Sequence, residues 1–392
     1  MSVPGNPLPV VLAGARGHGG WHLHNIRRLE RLGLVRLAGV CEPAPLAADD
    51  FDGIDAMEQS SDLDALLAST GARIAVICTP IQTHTELALT AARRGVHLLL
   101  EKPPAPSYAE FGRLTAGIAA AGVACQIGFQ SLGSHAMASI RSLLADGAVG
   151  EVLGVGGAGA WVRDESYFGR SPWAGRRRMN GVDVVDGALT NPLAHAVATA
   201  LALAGSPNAE DVAEIETELF RANAIEADDT SCVRVTTTGG NRIAVAATLC
   251  AETAAEPYVI VHGTGGRITF WYKQDRMLLQ RAGHGPVESV HGRTDLLENL
   301  VGHLTHGTEL LAPPAATGAF MRVVEAVRTA PEPVELPASV WRSLPGGVSA
   351  GAVAPRRVVT GVDGFVVACA ENLSLYSELG APWALPAKAD AS

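Results

Sequence analysis

The chain has 392 residues, with 30 lysines and arginines against 40 aspartates and glutamates, so its formal net charge is −10 at pH 7. At roughly 150 residues per domain, this length predicts two or three domains. An acidic chain in which charged residues make up only 18% is a poor ligand for nucleic acid, so we exclude nucleic acid as a partner. A hydrophobic fraction of 47% excludes a largely disordered chain.

Cysteine usage and the apolar runs indicate the compartment. The six cysteines form no CxxC pair and several sit in apolar runs, so we expect reduced core residues. The first apolar run ends at Gly14 without a basic segment before it, which predicts no secretory signal and a cytoplasmic location. The longest stretch rich in alanine and leucine, 188–205, is interrupted by Asn191, Pro192 and His195, which argues against a membrane span.

Short apolar runs alternate with helical patterns through the first third of the chain. The predicted strands are 9–13, 35–40, 73–78, 96–100 and 123–129. Helical spacing of apolar residues follows the first strand, and further helical patterns at 85–94 and 107–121 separate later strands. This alternation predicts an α/β fold with a doubly wound parallel sheet, a Rossmann dinucleotide-binding domain, which we place at 1–131.

The turn after the first predicted strand is rich in glycine and reads GARGHG. Tight turns of this kind leave backbone N–H groups free for phosphate oxygens. Gly14 and Gly19 fit the first and third glycines of the GxGxxG pattern, whereas Arg16 stands at the second and the glycine is displaced by one. The residues that we assign to the cofactor here are Gly14, Arg16, Gly17, His18 and Gly19. An ordinary glycine-rich connection is the alternative.

The second predicted strand ends at Glu42, at the usual separation of about 20 to 30 residues after the first glycine of the turn. A carboxylate there accepts hydrogen bonds from the adenosine ribose and repels a 2′-phosphate. We therefore predict NAD as the cofactor. Because Arg16 offers a compensating charge, NADP stays as the alternative, and a solvent-exposed glutamate at a strand end is the other reading of Glu42.

The segment 75–106 reads AVICTPIQTHTELALTAARRGVHLLLEKPPAP. It resembles the glucose-fructose oxidoreductase, inositol dehydrogenase and MocA-like (Gfo/Idh/MocA) family, and weaker similarity extends over most of 9–336. The matching positions are Thr79, Pro80, His84, Ala88, Ala91, Gly95, His97, Glu101, Lys102 and Pro103.

This resemblance implies an NAD(P)-dependent oxidoreductase acting on a secondary alcohol or ketone of a sugar, inositol or related polyhydroxy compound. It also implies that the cofactor is lined by Thr79, Pro80, His84, Glu101 and Lys102. Lys102 lies at the carboxyl end of a predicted parallel strand, where ligand crevices open. There its ammonium would stabilise a developing alkoxide and bind substrate; a surface lysine in a turn is the alternative.

After residue 148 the pattern changes to β-rich runs, which we assign to a second domain over 132–336. The predicted strands are 152–162, 215–221, 231–237, 242–250, 258–262 and 267–272. The resemblance implies an α+β domain with an open, mostly antiparallel sheet whose outer face packs on another subunit, as in a homodimer or homotetramer. We expect 337–392 to be an extension that docks on the domains, with Trp383 as a packing anchor.

The segment GALTNPLAHAVATALALAG resembles the family segment in which an aspartate and a histidine, four residues apart on a helix, face the substrate. His195 fits the histidine, and Asn191 stands where many members have aspartate. We predict that His195 removes the hydroxyl proton while Asn191 binds substrate. Asn191 as N-cap with Pro192 at the first helical position is an equally good reading. Asp183 and Asp186 are candidates for the missing carboxylate.

The loop 167–179 carries aromatic residues and consecutive arginines just before the His195 helix. We predict that Trp173 and Arg177 bind substrate, the ring against sugar C–H surfaces and the guanidinium on an acidic group. A solvated basic loop is the alternative.

We predict no metal site. His18 and His22 are four residues apart but have no nearby cysteine or carboxylate in the sequence, and His303 and His306 are equally unsupported.

Two other functions remain open at this stage. One is a non-catalytic, cofactor-binding regulator or sensor with the same fold, which the amide at Asn191 favours and the presence of Lys102 and His195 opposes. The other is a glycosidase that uses bound NAD for a transient oxidation, as some relatives do.

Overall fold

The structure is a computed structural model that describes residues 6–47, 51, 57–349 and 352–385. The chain forms two compact units. The first consists of Met1–Gly133 with Thr294–Ala315, and the second of Ser134–Arg293 with Ala316–Ser392. The return of Thr294–Ala315 to the first unit differs from the continuous boundaries expected from the sequence.

The helices and strands follow one another in this order. The first unit starts with β1 (Leu8–Ala13), α1 (Gly19–Arg31), β2 (Val35–Cys41), β3 (Glu58–Ser60), α2 (Leu63–Thr70), β4 (Ile74–Ile77), α3 (His84–Arg93), β5 (His97–Leu100), α4 (Tyr108–Ala121) and β6 (Cys125–Ile127). The second unit starts with α5 (Ala136–Ala145), β7 (Val152–Ala160), α6 (Glu165–Phe168), β8 (Arg178–Met179), β9 (Val182–Asp183), α7 (Ala194–Leu203), β10 (Val212–Arg221), β11 (Thr230–Thr237), β12 (Arg242–Thr248), β13 (Tyr258–Gly263), β14 (Gly266–Trp271), β15 (Arg276–Arg281) and β16 (Val287–Val290). The chain then enters the first unit as α8 (Leu296–His306) and ends in the second unit as α9 (Gly318–Thr329), β17 (Val334–Glu335), β18 (Trp341–Ser349), β19 (Ala352–Val359) and α10 (Val362–Asn372).

The first unit is built on a six-stranded parallel sheet in the order β3-β2-β1-β4-β5-β6. Of its central strands, β4 is buried along its length and β1 is buried from Val10 to Ala13, as expected of parallel strands covered on both faces. The apolar side of α1, with Leu23, Ile26 and Leu29, packs into the same core. The predicted Rossmann sheet is confirmed, and each predicted strand lies within two residues of an observed one.

Helix α8 also belongs to this core, although it lies more than 160 residues after β6 in the chain. Its Leu297 and Leu300 are fully buried in the core of the first unit. The helix begins at the N-cap Asp295, which accepts hydrogen bonds from the backbone of Leu297 and Glu298 at 3.0 Å and from the Asn25 side chain at 3.0 Å. The contacts that place α8 here are thus long-range, and local sequence patterns carry no signal for them.

The second unit is built on a nine-stranded sheet in the order β16-β15-β14-β13-β7-β12-β11-β10-β17. Neighbouring strands are antiparallel except for the pairs β7–β12 and β10–β17. The predicted mostly antiparallel sheet is confirmed.

Strand β7 is glycine-rich because helices approach it closely from both faces. A Cβ on Gly159 would lie 2.6 Å from the Leu193 side chain just before α7. A Cβ on Gly156, on the opposite face, would lie 2.0 Å from the carbonyl oxygen of Ala370 in α10. The unit therefore has three layers, with α7 on one side of the sheet and α10 on the other.

The C-terminal extension packs within the second unit. Tyr376 and Trp383 are buried against the sheet residues Phe220 and Cys232, and the Trp383 ring meets the Phe365 ring edge-on with centroids 4.9 Å apart. The predicted anchoring by Trp383 is confirmed, whereas the hairpin of β18 and β19 was not predicted.

Two further findings concern the part of the chain that the structure describes. No helix there is long and apolar enough to cross a membrane. The six cysteines are free thiols, five of them buried and Cys78 half-buried.

Candidate active site

The turn between β1 and α1 depends on two glycines because the backbone comes close to its neighbours. Gly14 has φ 84°, and a Cβ there would lie 2.3 Å from the carbonyl oxygen of Cys78. A Cβ on Gly19, the first residue of α1, would lie 1.9 Å from the Gly14 carbonyl oxygen. The chain thus reaches the helix N-terminus by a tight turn with no room for a side chain at positions 14 and 19, as is typical of phosphate-binding turns.

The Glu42 carboxylate, which follows β2, is held against this turn. It accepts hydrogen bonds from the backbone N–H of Ala15 and, at 3.1 Å, from that of Arg16. The Arg16 guanidinium pairs with Glu42 at 3.1 Å and donates to the carbonyls of Ala44 and Pro45 at 2.9 and 3.0 Å. Glu42 is therefore fixed against the turn, with the Arg16 cation beside it.

His84 has a different position from the one predicted. It is 2% exposed, and its two ring nitrogens lie 2.9 Å from the carbonyl oxygen of Pro103 and 2.8 Å from that of Thr79. Burial lowers the pKa of His84, against the opposing effect of the hydrogen bonds to the two carbonyls. His84 thus ties the turn after β4 to the segment after Lys102, and we interpret it as a positioning residue instead of a cofactor contact.

Glu101 is a buried carboxylate with several donors around it. Its Oε1 lies 3.0 Å from His22 Nε2, 3.0 Å from the Gln130 amide that donates to it, and 3.8 Å from His18 Nε2. Its Oε2 accepts from the backbone N–H of Lys102 at 3.1 Å. Burial opposes ionisation, but the hydrogen bond from His22 and the charges of His22, His18 and Lys102 outweigh it and hold the pKa of Glu101 well below its ordinary value. A negative charge is therefore fixed next to Lys102.

Glu101 is the carboxylate that the sequence analysis did not find near His18 and His22. Ligand atoms of these three residues all lie within 4.8 Å of one another, a spacing that a metal ion can bridge. Because Glu101 Oε1 already accepts from His22 and Gln130, hydrogen bonding accounts for the cluster. The absence of a metal stays a prediction.

The groups of the first unit meet at one edge of its sheet. Gly14, Glu42, Thr79 and Lys102 follow the carboxyl ends of β1, β2, β4 and β5, respectively, with Pro80 directly after Thr79. Strand order reverses between β1 and β4, and ligands of doubly wound sheets bind at such a switch point. The predicted cofactor residues are therefore brought to one edge, apart from the buried His84.

In the second unit, His195 is the second residue of α7. It is half-buried in a helix whose other residues are buried, and its ring centroid lies 6.4 Å from that of Tyr272. The helix begins at Ala194 with Leu193 as N-cap, so the predicted N-cap role of Asn191 is wrong. The residues from Asn191 to Leu193 form turns instead, with the backbone N–H of Leu193 donating to the Ala188 carbonyl at 2.9 Å.

The Asn191 side chain is used within the unit. Its amide donates to Oδ1 of Asp186, whose Oδ2 accepts from the backbone N–H of Gly175 at 2.7 Å and from Arg170 at 3.3 Å. Asp186 is thus a buried carboxylate that holds three segments together. This arrangement argues against Asp186 as the missing catalytic carboxylate.

Asp183 and Arg177 also have structural partners. Asp183 pairs with Arg178 at 2.8 Å and with Arg328 at 3.2 Å. The Arg177 guanidinium donates at 2.9–3.1 Å to four carbonyls at the end of α9, those of Val327, Arg328, Ala330 and Pro331. It therefore acts as a C-cap, and the predicted anion-binding role is not supported.

Trp173 stays within reach of a ligand because it is half-buried, with the Arg170 guanidinium 4.8 Å from its ring centroid.

The sequence analysis missed one residue that supports the segment before His195. Asp228, 3% exposed, accepts from the Ala188 backbone at 3.0 Å and from Ser231 Oγ at 2.6 Å, and so fixes the turns before His195. Burial raises the pKa of Asp228. The local sequence signal for this residue is the pair of adjacent aspartates in the ADDTS segment, 227–231.

Comparisons with known proteins agree with this geometry. The model of the "Oxidoreductase family, NAD-binding Rossmann fold" matches residues 8–129. The model of the "GFO/IDH/MocA C-terminal domain" matches residues 137–269. Together the two models match more than half of the chain.

Curated relatives match over part of their length. Inositol 2-dehydrogenase of Streptomyces avermitilis is 32% identical over 37% of this chain and 43% of the relative. Levoglucosan dehydrogenase of Pseudarthrobacter phenanthrenivorans is 25% identical over 41% of this chain and 40% of the relative. The chain thus matches about two-fifths of the length of these relatives.

Solved structures match over most of the chain. The WlbA dehydrogenase of Bordetella pertussis, in complex with NADH and UDP-GlcNAcA, has a TM-score of 0.68 at 20% identity, over 82% of this chain and 95% of that one. Aldose-aldose oxidoreductase of Caulobacter crescentus has a TM-score of 0.68 at 18% identity, over 82% of this chain and 96% of that one. At this identity the likeness shows the fold. The two matching family models show that the chain belongs to the Gfo/Idh/MocA oxidoreductase family, with an NAD-binding Rossmann domain.

Proposed function

We propose that the chain is an NAD-dependent dehydrogenase acting on a CH–OH group of a sugar, inositol or related polyhydroxy compound, with NADP as the alternative cofactor. The observation that carries this proposal is the position of Lys102 at the carboxyl edge of the first unit's sheet, beside the fixed Glu101 charge and at the same edge as Glu42. The inositol and levoglucosan dehydrogenases among the relatives support the substrate class.

Lys102 binds the substrate oxygen in this proposal. The carboxylate of Glu101 accepts from the backbone N–H of Lys102 at 3.1 Å and so fixes the main chain that carries the ammonium. An ammonium close to a hydroxyl oxygen stabilises the negative charge that develops as the proton leaves. Lys102 therefore polarises the group that is oxidised.

His195 takes the proton. Oxidation of the alcohol breaks a C–H and an O–H bond, forms the carbonyl, and releases one hydride and one proton. The bound nicotinamide supplies the acceptor for the hydride. The imidazole of His195 accepts the proton and passes it to solvent, and reduction reverses these steps. Asn191 and Trp173 contact the substrate in this proposal. Arg177 is left out because its guanidinium donates to the carbonyls at the end of α9.

The direct test is a turnover screen of the purified chain with NAD and with NADP against inositols, aldoses, sugar acids and their keto forms. We expect net formation or consumption of reduced cofactor with at least one member. His195→Ala should lower kcat by about 10²–10⁴-fold and abolish the pH dependence that a single base imposes. Cofactor binding without net turnover across the panel would favour a sensor or a glycosidase. A cytoplasmic location and self-association stay predictions alongside this function.

A further inference from the structure

Aromatic and cationic side chains alternate in the segment that follows β7. The Arg163 Cζ lies 4.8 Å from the ring centroid of Trp161 and 4.9 Å from that of Tyr167. The Arg170 Cζ lies 3.7 Å from the Tyr167 centroid and 4.8 Å from that of Trp173. We call these five residues the aromatic–cationic row.

The cations of this region differ in their partners. Arg170 pairs with Asp186 at 3.3 Å. Lys273, whose Nζ lies 5.4 Å from the Trp161 ring centroid, pairs with Glu256 at 3.3 Å. Arg163 forms no ion pair with any residue that the structure describes. One positive charge in the row is therefore left without a counter-ion among the described residues.

The remaining contacts of Arg163 are with neutral groups. Its Nη1 donates to the Val162 carbonyl at 3.1 Å, and its side chain hydrogen-bonds Tyr167. Its Nε is buried and has no partner among residues 6–47, 57–349 and 352–385. The adjacent Asp164 carboxylate accepts instead from the backbone N–H groups of Tyr167 and Gly347, at 3.2 and 3.0 Å. A partly buried cation of this kind is unfavourable unless an anion pairs with it.

Both ends of the row connect to the surroundings of His195. At one end, Lys273 directly follows Tyr272, whose ring lies beside that of His195. Towards the other end, Arg170 donates to the Asp186 carboxylate. This carboxylate also accepts from Asn191, four residues before His195. These contacts all lie within the second unit. The row is therefore part of the environment of the proposed substrate base.

We propose that Arg163 binds the carboxylate of an acidic polyhydroxy substrate, such as a sugar acid, whose hydroxyl is oxidised next to His195. This inference rests on the function proposed above. Two aromatic rings contact the Arg163 guanidinium and its Nε is buried, so the edge formed by the two Nη groups is the part left for a ligand. Such an edge matches a planar carboxylate with two parallel hydrogen bonds. The aromatic rings also suit the C–H surface of a sugar ring.

The first experiment measures binding to the full chain with NAD present, by calorimetry, using matched probes. D-Glucuronate is compared with D-glucose, and D-galacturonate with D-galactose, with glucose 6-phosphate as the phosphate arm. Because hydrogen bonds to charged groups are the strong ones, we expect at least one acid to bind about tenfold to a hundredfold more tightly than its neutral partner. That preference should shrink as salt is added.

Variants locate the effect. Arg163→Gln should remove the preference for the acid, and Arg163→Lys should keep part of it because the charge remains. Arg276→Gln is the matched control, because Arg276 also stacks on a tryptophan, at 3.7 Å from Trp271, but has its own counter-ion Glu288 at 3.1 Å. This control should keep the full preference.

Three results would overturn the inference. In the first, the acids bind no more tightly than their neutral partners or do not bind. In the second, the phosphate binds more tightly than every carboxylate. In the third, the Arg163→Gln variant loses acid and neutral binding alike. Because the readout is binding, it separates this inference from the proposed function. Absence of turnover across the whole screen contradicts the dehydrogenase, whereas a neutral sugar that is oxidised with no acid preference contradicts only the role of Arg163.

Discussion

The side-chain amide of Asn191 donates a hydrogen bond to the carboxylate of Asp186, which also accepts from the backbone N–H of Gly175 at 2.7 Å. This pairing gives a physical reason for an amide at position 191. A carboxylate there would lose the donor and face the charge of Asp186 directly. Asn191, which stands where many members of the family have aspartate, is thus suited to the carboxylate beside it.

An Asn191→Asp substitution should therefore produce a pH-dependent loss of stability. Two adjacent carboxylates raise the pKa of one of them above its unfolded value of about 3.9. A group whose folded pKa is raised contributes stability at low pH and loses it as pH rises through that pKa. We expect little effect below about pH 4 and a loss of about 1–3 kcal/mol near pH 7.

Denaturant unfolding across this pH range measures the effect. Asn191→Ala is the control, because it removes the donor without adding a charge and should show no such pH dependence. Equal destabilisation by Asn191→Asp at both ends of the range would contradict the account.

Glu101 should contribute stability that is lost in acid. Its folded pKa is held well below the ordinary value, because the hydrogen bond from His22 and the neighbouring charges outweigh burial. A depressed pKa stabilises the fold above the unfolded pKa, about 4.3, and this contribution disappears as pH falls through the folded value. Glu101→Gln should thus cost about 1–3 kcal/mol near pH 7 and progressively less below about pH 4.

The control for Glu101 is Glu110→Gln. Glu110 also pairs with an arginine, Arg113 at 2.9 Å, but both side chains are exposed by more than a third. An exposed pair of this kind contributes at most about 1 kcal/mol. Equal losses in the two variants at neutral pH would show that burial of Glu101 does not matter.

Gly156→Ala should destabilise the second unit, because the new methyl group would meet the Ala370 carbonyl and push α10 off the sheet. We expect a loss of about 1–3 kcal/mol, measured by thermal or denaturant unfolding. Gly112→Ala is the matched control, since a Cβ there meets nothing within 4 Å in the interior of α4. This control should gain about 0.5–1 kcal/mol. A neutral Gly156→Ala would contradict the close packing of α10.

Glu42 and Arg16 should set the cofactor preference in opposite directions. Glu42→Gln removes the charge that repels a 2′-phosphate and releases the Arg16 guanidinium from its ion pair. The ratio of kcat/KM for NADP to that for NAD should rise about tenfold or more, the size of one charge-assisted hydrogen bond. Arg16→Met should lower the same ratio. A change in the same direction for both variants would contradict this arrangement.

The sequence predicted the elements whose signal is local. The apolar strands and the helical spacing of the first unit, the glycines of the turn at Gly14, and the long strands of the second sheet were all predicted close to their observed positions. The start of α7 was placed too early, because the Asn191–Pro192 pair is a good capping signal that the contact with Asp186 overrides.

Contacts between distant residues could not be predicted. The addition of α8 to the first core, the Glu101 partner of His22 and the capping of α9 by Arg177 join positions 79 to 270 residues apart. A local signal did exist for Arg163, since aromatic and cationic residues alternate from Trp161 to Trp173. Its significance depends on the partners of each cation, which only the structure gives.

The most direct test of the account is turnover by Lys102→Met, beside the unchanged chain, with the polyhydroxy substrate and cofactor that the screen identifies. Since methionine matches the lysine side chain in shape as far as Cε and removes its charge, NAD should still bind. We predict a fall in kcat of about 10²–10⁴-fold with cofactor binding retained. A Lys102→Met variant that oxidises the substrate at the original rate would contradict the proposed role of Lys102 in the reaction.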